Sequence, residues 1–106
     1  MKKYILYLFI TITLVACKDV TELCEDTNYT YNNDIKSIID ANCSVSGCHS
    51  QGASIGDFTT YDGMQSIFDG KFEDRVIDKG DMPPGFILYF SDKSKLECWM
   101  ENGFKE

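Results

Sequence analysis

The sequence predicts an all-α domain. Apolar residues recur at the three-and-four spacing of a helix face in separate segments, around Ile35 to Cys43, Met64 to Phe68 and Leu96 to Met100. Each segment opens near a capping residue, and the last two close on a glycine. At 106 residues the chain has room for one domain. There is no internal repeat, no low-complexity tract and no phosphate-cradling glycine motif.

The elements follow in chain order. Lys2 and Lys3 precede an apolar run from Tyr4 to Ala16. A charged start and a short apolar core make an export signal, too short for a comfortable membrane span. Residues 1–16 are therefore read as a signal peptide. Leu14-Val15-Ala16-Cys17 resembles the lipobox of bacterial lipoproteins, in which the cysteine is acylated and becomes the first mature residue. Cys17 is then a lipid anchor, holding the chain to a membrane of the bacterial cell envelope, on the periplasmic or the outer-membrane face; the other readings are an ordinary secretory signal with an incidental cysteine, or an uncleaved signal anchor. Residues 17–28 are polar and read as a tether that becomes ordered towards Tyr29 and Tyr31. Cys24 lies inside it, and a thiol in an oxidising compartment calls for a partner.

Residues 29–106 form the domain. The first helix carries Ile35, Ile38 and Ile39 on one face, with Asn33 or Asp34 placed to cap it. It runs into Cys43-Ser44-Val45-Ser46-Gly47-Cys48-His49, which holds two of the five cysteines and the single histidine. Two thiols can each add across a haem vinyl group, S–H across C=C, to form thioethers. A histidine tethered beside the second thioether then places an imidazole nitrogen under the iron. The usual attachment motif separates the cysteines by two residues; here four intervene, and Gly47 lets the longer loop turn. Other readings stand beside this one. Cys43 and Cys48 could instead form a local disulfide, with His49 on the surface. A zinc site lacks its fourth ligand, and a redox dithiol normally has a shorter spacing.

A loop of small residues from Ser50 to Gly56 follows, then Phe58 and Tyr61, which line a crevice or fill a small core. Thr59 or Thr60 caps a short helix through Met64, Ile67 and Phe68 that stops at Gly70. Arg75, the one arginine, is either a haem-propionate contact or a solvated charge. In Met82-Pro83-Pro84-Gly85 the prolines stiffen the backbone beyond a thioether suited to be the sixth iron ligand. Met64 and Met100 sit in helical patterns and read as core residues. Ser91 or Asp92 caps the final helix, whose apolar face is Leu96, Trp99 and Met100 and whose stop is Gly103. With Cys17 assigned to lipid and Cys43 and Cys48 to haem, Cys24 and Cys98 remain as a disulfide pair.

This order of helix, Cys-Cys-His, small-residue loop, Met-Pro-Pro-Gly and terminal helix with tryptophan resembles a small class I-type cytochrome c domain. It is most similar to the mono-haem lipoprotein domains of bacterial envelopes with a widened attachment motif. The resemblance covers nearly all of residues 29–106. It implies N- and C-terminal helices packed around one covalently attached haem c, with thioethers at Cys43 and Cys48, His49 as the proximal iron ligand and Met82 as the distal one.

Composition fits that function. The net charge of −7 makes nucleic acid an unsuitable partner and suits a redox partner with a basic docking face. With His49 committed, no residue remains to activate a nucleophile or base, so an electron carrier is expected rather than an enzyme. The contrasting expectation is a cofactor-free, disulfide-stapled interaction domain of the envelope.

Overall fold

The computed structural model describes residues 19–106. The signal segment and Cys17 lie outside the described residues. The domain is all-α, with no strand among the described residues. Helix α1 (Val20–Cys24) precedes a π-helical turn (Tyr31–Ile35) that runs directly into α2 (Lys36–Asn42). Helix α3 (Tyr61–Met64) passes into a 3-10 turn (Gln65–Ile67), and α4 (Lys71–Glu73) into a second π-helical turn (Asp74–Asp78). Helix α5 (Phe90–Glu101) is the longest element.

The first helical run starts earlier than its apolar pattern predicts. Thr30, rather than Asn33 or Asp34, is the N-cap. Its Oγ1 accepts from the Asn33 N–H at 3.4 Å, and its own N–H donates to Asp34 Oδ2 at 3.0 Å. This reciprocal arrangement satisfies two otherwise orphaned groups at the helix start. Burial of Tyr31 and Ile35 then continues the face formed by Ile38 and Ile39. Of the two candidate caps on α3, Thr60 serves, accepting from the Gly63 N–H at 3.1 Å. Helix α5 begins at Phe90 with no side-chain cap, one residue before the expected Ser91.

The end of α5 determines the core. Gly103 takes φ 85° and Phe104 φ 56°. The Phe104 N–H reaches Trp99 O, and the Gly103 N–H reaches Met100 O, both at 2.9 Å. These paired bonds reverse the chain and satisfy two terminal carbonyls. The reversal lays Phe104 edge-on against Trp99, ring centroids 5.0 Å apart. Trp99 is 0% exposed and also meets Phe68 and Phe72 edge-on. Its Nε1–H donates to Lys105 O at 2.7 Å, and the same carbonyl accepts the Tyr31 N–H at 2.8 Å. One carbonyl thereby joins the first helical run to the last.

The segment expected as a tether contains α1, which is bonded to α5. Cys24 and Cys98 form a disulfide with a Cα–Cα distance of 5.1 Å. Asn102 Nδ2 donates to Thr27 O at 3.0 Å, and Lys105 Nζ to Asn28 Oδ1 at 2.7 Å. Thus α1 and the chain after it run parallel to α5. The bridge spans 74 residues of sequence, for which loop-closure entropy gives about 4 kcal/mol. Denaturant unfolding of Cys24→Ser/Cys98→Ser is expected to show a loss of about 2–5 kcal/mol. Trp99→Ala, which empties the centre of the aromatic cluster, is expected to cost about 3–5 kcal/mol in the same measurement.

Candidate functional site

One cavity of about 480 Å3 lies between α2, the loop after it, the α4 segment and the chain following that segment. Cys43, Cys48, His49 and Met82 all line it. These four are 39 residues apart at the extremes of the sequence numbering, from 43 to 82. Folding brings them to one wall system. The volume falls within the usual range for cofactor sites.

The widened loop is closed at its base. Cys43 ends α2, and its carbonyl accepts the His49 N–H at 3.0 Å, while the Cys48 N–H donates to Val45 O at 3.0 Å. Gly47 takes φ 83°, which lets the longer connection turn back within those bonds. Both thiols are free. Burial, reinforced by the neighbouring Cys48, pushes the Cys43 thiol up to about 11. Cys43 thus remains a neutral thiol through physiological pH. Raising pH through the range from about 9 to about 11 ionises the unfolded thiol before the folded one and removes stability.

His49 is held from two sides. Its Nδ1 lies 3.0 Å from Gly56 O. Because a carbonyl only accepts, Nδ1 carries the proton and the lone pair belongs to Nε2. The ring stacks on Phe58, centroids 3.7 Å apart and planes 6° from parallel. The loop providing the acceptor is itself tied down. Asp57 Oδ2 accepts the Gly52 N–H, Asp57 Oδ1 accepts the Thr59 N–H, each at 2.9 Å, and the Phe58 N–H donates to His49 O at 3.0 Å. The Thr59 hydroxyl, which also donates to Asp57 Oδ1, and then the Gly52 and Thr59 N–H groups hold the Asp57 carboxyl below its ordinary value. This contribution is complete above the unfolded value and is lost as pH falls through the depressed one.

Met82 approaches from the other end of the chain. The Arg75 carbonyl accepts the N–H groups of Asp81 and Met82 at 3.1 and 3.2 Å. The Arg75 side chain closes the same turn, its Nε donating to Asp81 Oδ1 at 2.7 Å and keeping that carboxyl below its ordinary range. The Met82–Pro83 peptide is cis, and Pro83 is buried against the cavity. Arg75 therefore lies on the cavity wall with Lys71 and Lys79, and it also positions the methionine loop. That second role was not evident from its charge alone. Met64 is fully buried and Met100 packs against the core.

Gly56 is the site residue that sequence reasoning missed. It was one small residue in a loop of them, and only its carbonyl, meeting His49, distinguishes it. Its φ is 114°, and a Cβ there would lie 3.0 Å from Phe58 Cε1 and 3.6 Å from His49 Nδ1. Among the described residues no three His, Cys, Asp or Glu side chains converge as a metal shell. The donors at the cavity are instead one imidazole, one thioether and two thiols.

No family model, curated protein or solved structure matches the chain.

Three outcomes test this geometry. Gly56→Ala is expected to cost about 1–3 kcal/mol in denaturant unfolding, from backbone strain at a positive φ. Iodoacetamide should alkylate Cys43 at pH 8 at least about tenfold more slowly than it alkylates a free cysteine in solution, since each unit of raised pKa removes tenfold of thiolate. Asp57→Asn is expected to remove the loop's contribution to acid stability, so that the unfolding free energy falls less steeply as pH drops below the ordinary carboxylate value.

Proposed function

We propose that the chain is a mono-haem c-type cytochrome, an electron-transfer protein of the bacterial envelope held to its membrane by a lipid on Cys17. The supporting observation is the convergence of Cys43, Cys48, His49 and Met82 on one cavity. Their separation in sequence gives no reason for them to meet unless one occupant uses them all. The occupant proposed is haem, which when bound supplies one-electron exchange at iron.

The residues divide the work of holding it. Cys43 and Cys48 would fasten the ring edge by thioethers, each formed by addition of S–H across a vinyl C=C. Burial keeps Cys43 a neutral thiol at physiological pH. His49 presents Nε2, with its rotation stopped by Gly56 O and by the face of Phe58. Met82 presents a thioether from a turn pinned twice to Arg75. A methionine ligand raises the reduction potential relative to a second histidine. The apolar side chains of Ile55, Phe58, Ile67, Phe72 and Val76 would exclude water from the ring face, while Lys71, Arg75 and Lys79 line the same wall as cations for its carboxylates, Arg75 and Lys79 each also holding a carboxylate of the chain, Asp81 and Asp74.

Ligands held on two independently braced segments move little when the iron changes charge, which favours electron transfer over chemistry on a bound substrate. A methionine in the sixth position also opposes an enzymatic role that needs an open site. The redox partner is expected to present a basic face to this acidic chain, and nucleic acid is not a partner.

A haem stain on a denaturing gel tests the reading, on protein exported in a host with c-type maturation. Stain should follow the chain and disappear in Cys43→Ala/Cys48→Ala. Repeated absence of stain in a host able to process the widened motif overturns it. In the loaded protein Met82→Ala should alter both ferric and ferrous spectra, and Met82→His should lower the reduction potential. Unchanged spectra in Met82→Ala would remove the distal assignment.

A further inference from the structure

The chain between the methionine loop and α5 carries four large apolar side chains directed outward. Phe86 is 50%, Ile87 92%, Tyr89 81% and Phe90 86% exposed. Only Leu88 turns inward to the core. Folding leaves single apolar residues on most surfaces, but a run of this density in five positions marks an interaction site. Phenylalanine, isoleucine and tyrosine are the residue types that settle at the boundary between headgroups and acyl chains.

The position of this loop identifies what it meets. Cys24 pairs with Cys98, Thr27 with Asn102 and Asn28 with Lys105, so residue numbers rise together and α1 runs parallel to α5. Traced backwards from the disulfide, α1 heads towards the first turn of α5, where Phe90 begins the helix. Phe90 is eight residues from Cys98, or about 12 Å along the axis. Cys17 is seven residues from Cys24, a reach of at most about 25 Å. The described chain therefore begins, at Asp19, towards the end of α5 that carries the apolar loop, two residues after the anchor of the proposed function. Charges nearby are mixed, with Asp92, Lys93 and Lys95 on the following helix, so no anionic lipid is needed.

We infer that the Phe86–Phe90 loop inserts into the bilayer interface and, with the acyl chains on Cys17, makes a two-point contact that fixes the domain's orientation on the membrane. This rests on the lipid-anchor reading, which puts a membrane at this end of the domain; the experiment reads loop and anchor separately. A tether alone would leave the domain free to rotate. The loop removes that freedom by adding apolar burial at a second place.

Site-specific photocrosslinking tests the inference. The full, exported chain carrying Ile87→p-benzoylphenylalanine is reconstituted on phosphatidylcholine vesicles and irradiated, with Glu101→p-benzoylphenylalanine at the opposite end of α5 as control. Phosphatidylcholine adducts several-fold more abundant at position 87 than at 101 are expected. Equal adducts at both positions, or an adduct of twice the chain mass, would overturn it; the second would make the loop a contact between copies. Intact mass of the same samples reports acylation of Cys17 separately. Acylated protein without the adduct at 87 rejects the loop and keeps the anchor, whereas the adduct on unacylated protein keeps the loop and rejects the anchor.

Discussion

The rest of the structure depends on the burial of one indole. Trp99 has no exposed surface, yet its N–H must be satisfied, and the carbonyl that satisfies it also receives the Tyr31 N–H. The bond is possible only because Gly103 and Phe104 reverse the chain after α5 and bring Lys105 back over the ring. A buried donor left without that acceptor would cost about 1–3 kcal/mol. The first and last helical segments are thus joined by the requirement of a single polar atom, and the aromatic rings around Trp99 fill the remaining space.

With that corner fixed, the opposite side of the core can stay open. The same helix that ends in Cys43 is held by Tyr31 and Ile35 against α5, so the two cysteines and the histidine project from a braced element. The methionine is braced differently, by a turn closed on the carbonyl and guanidinium of Arg75. Two rigid attachments on either side of a cavity suit a cofactor whose ligands should not move. The disulfide at Cys24 and Cys98 extends the bracing to α1, so part of a segment that is polar in composition is nevertheless structured.

Much of this was legible in the residues. Ile35, Ile38 and Ile39 share a face because helical spacing places them there, and they are buried. The glycine stop at Gly103 and the Thr60 cap follow from the chemistry of orphaned helix-end groups, which acts over three or four residues. The pairing of Cys24 with Cys98 was reached by assigning the other cysteines first. By contrast, Thr30 was overlooked as a cap because the apolar pattern begins after it, and α1 was overlooked because five residues are too few to carry a periodic signal. The reach of Gly56 O to His49 was invisible because a backbone carbonyl has no side-chain signature.

The sequence by itself determined which chemistry is available: a single imidazole beside two cysteines, a methionine before two prolines, and helices whose apolar faces must find one another. Local spacing suffices for these because caps, periodicity and tethered ligands act within a few residues. Only the tertiary structure decided that residues 43 and 82 line one cavity, that Arg75 serves the methionine loop through its backbone as well as its charge, and that Thr27 meets Asn102 beside the Cys24–Cys98 bridge. Those relations join residues distant in sequence, and their distances are set by how the aromatic core packs, which no local pattern encodes.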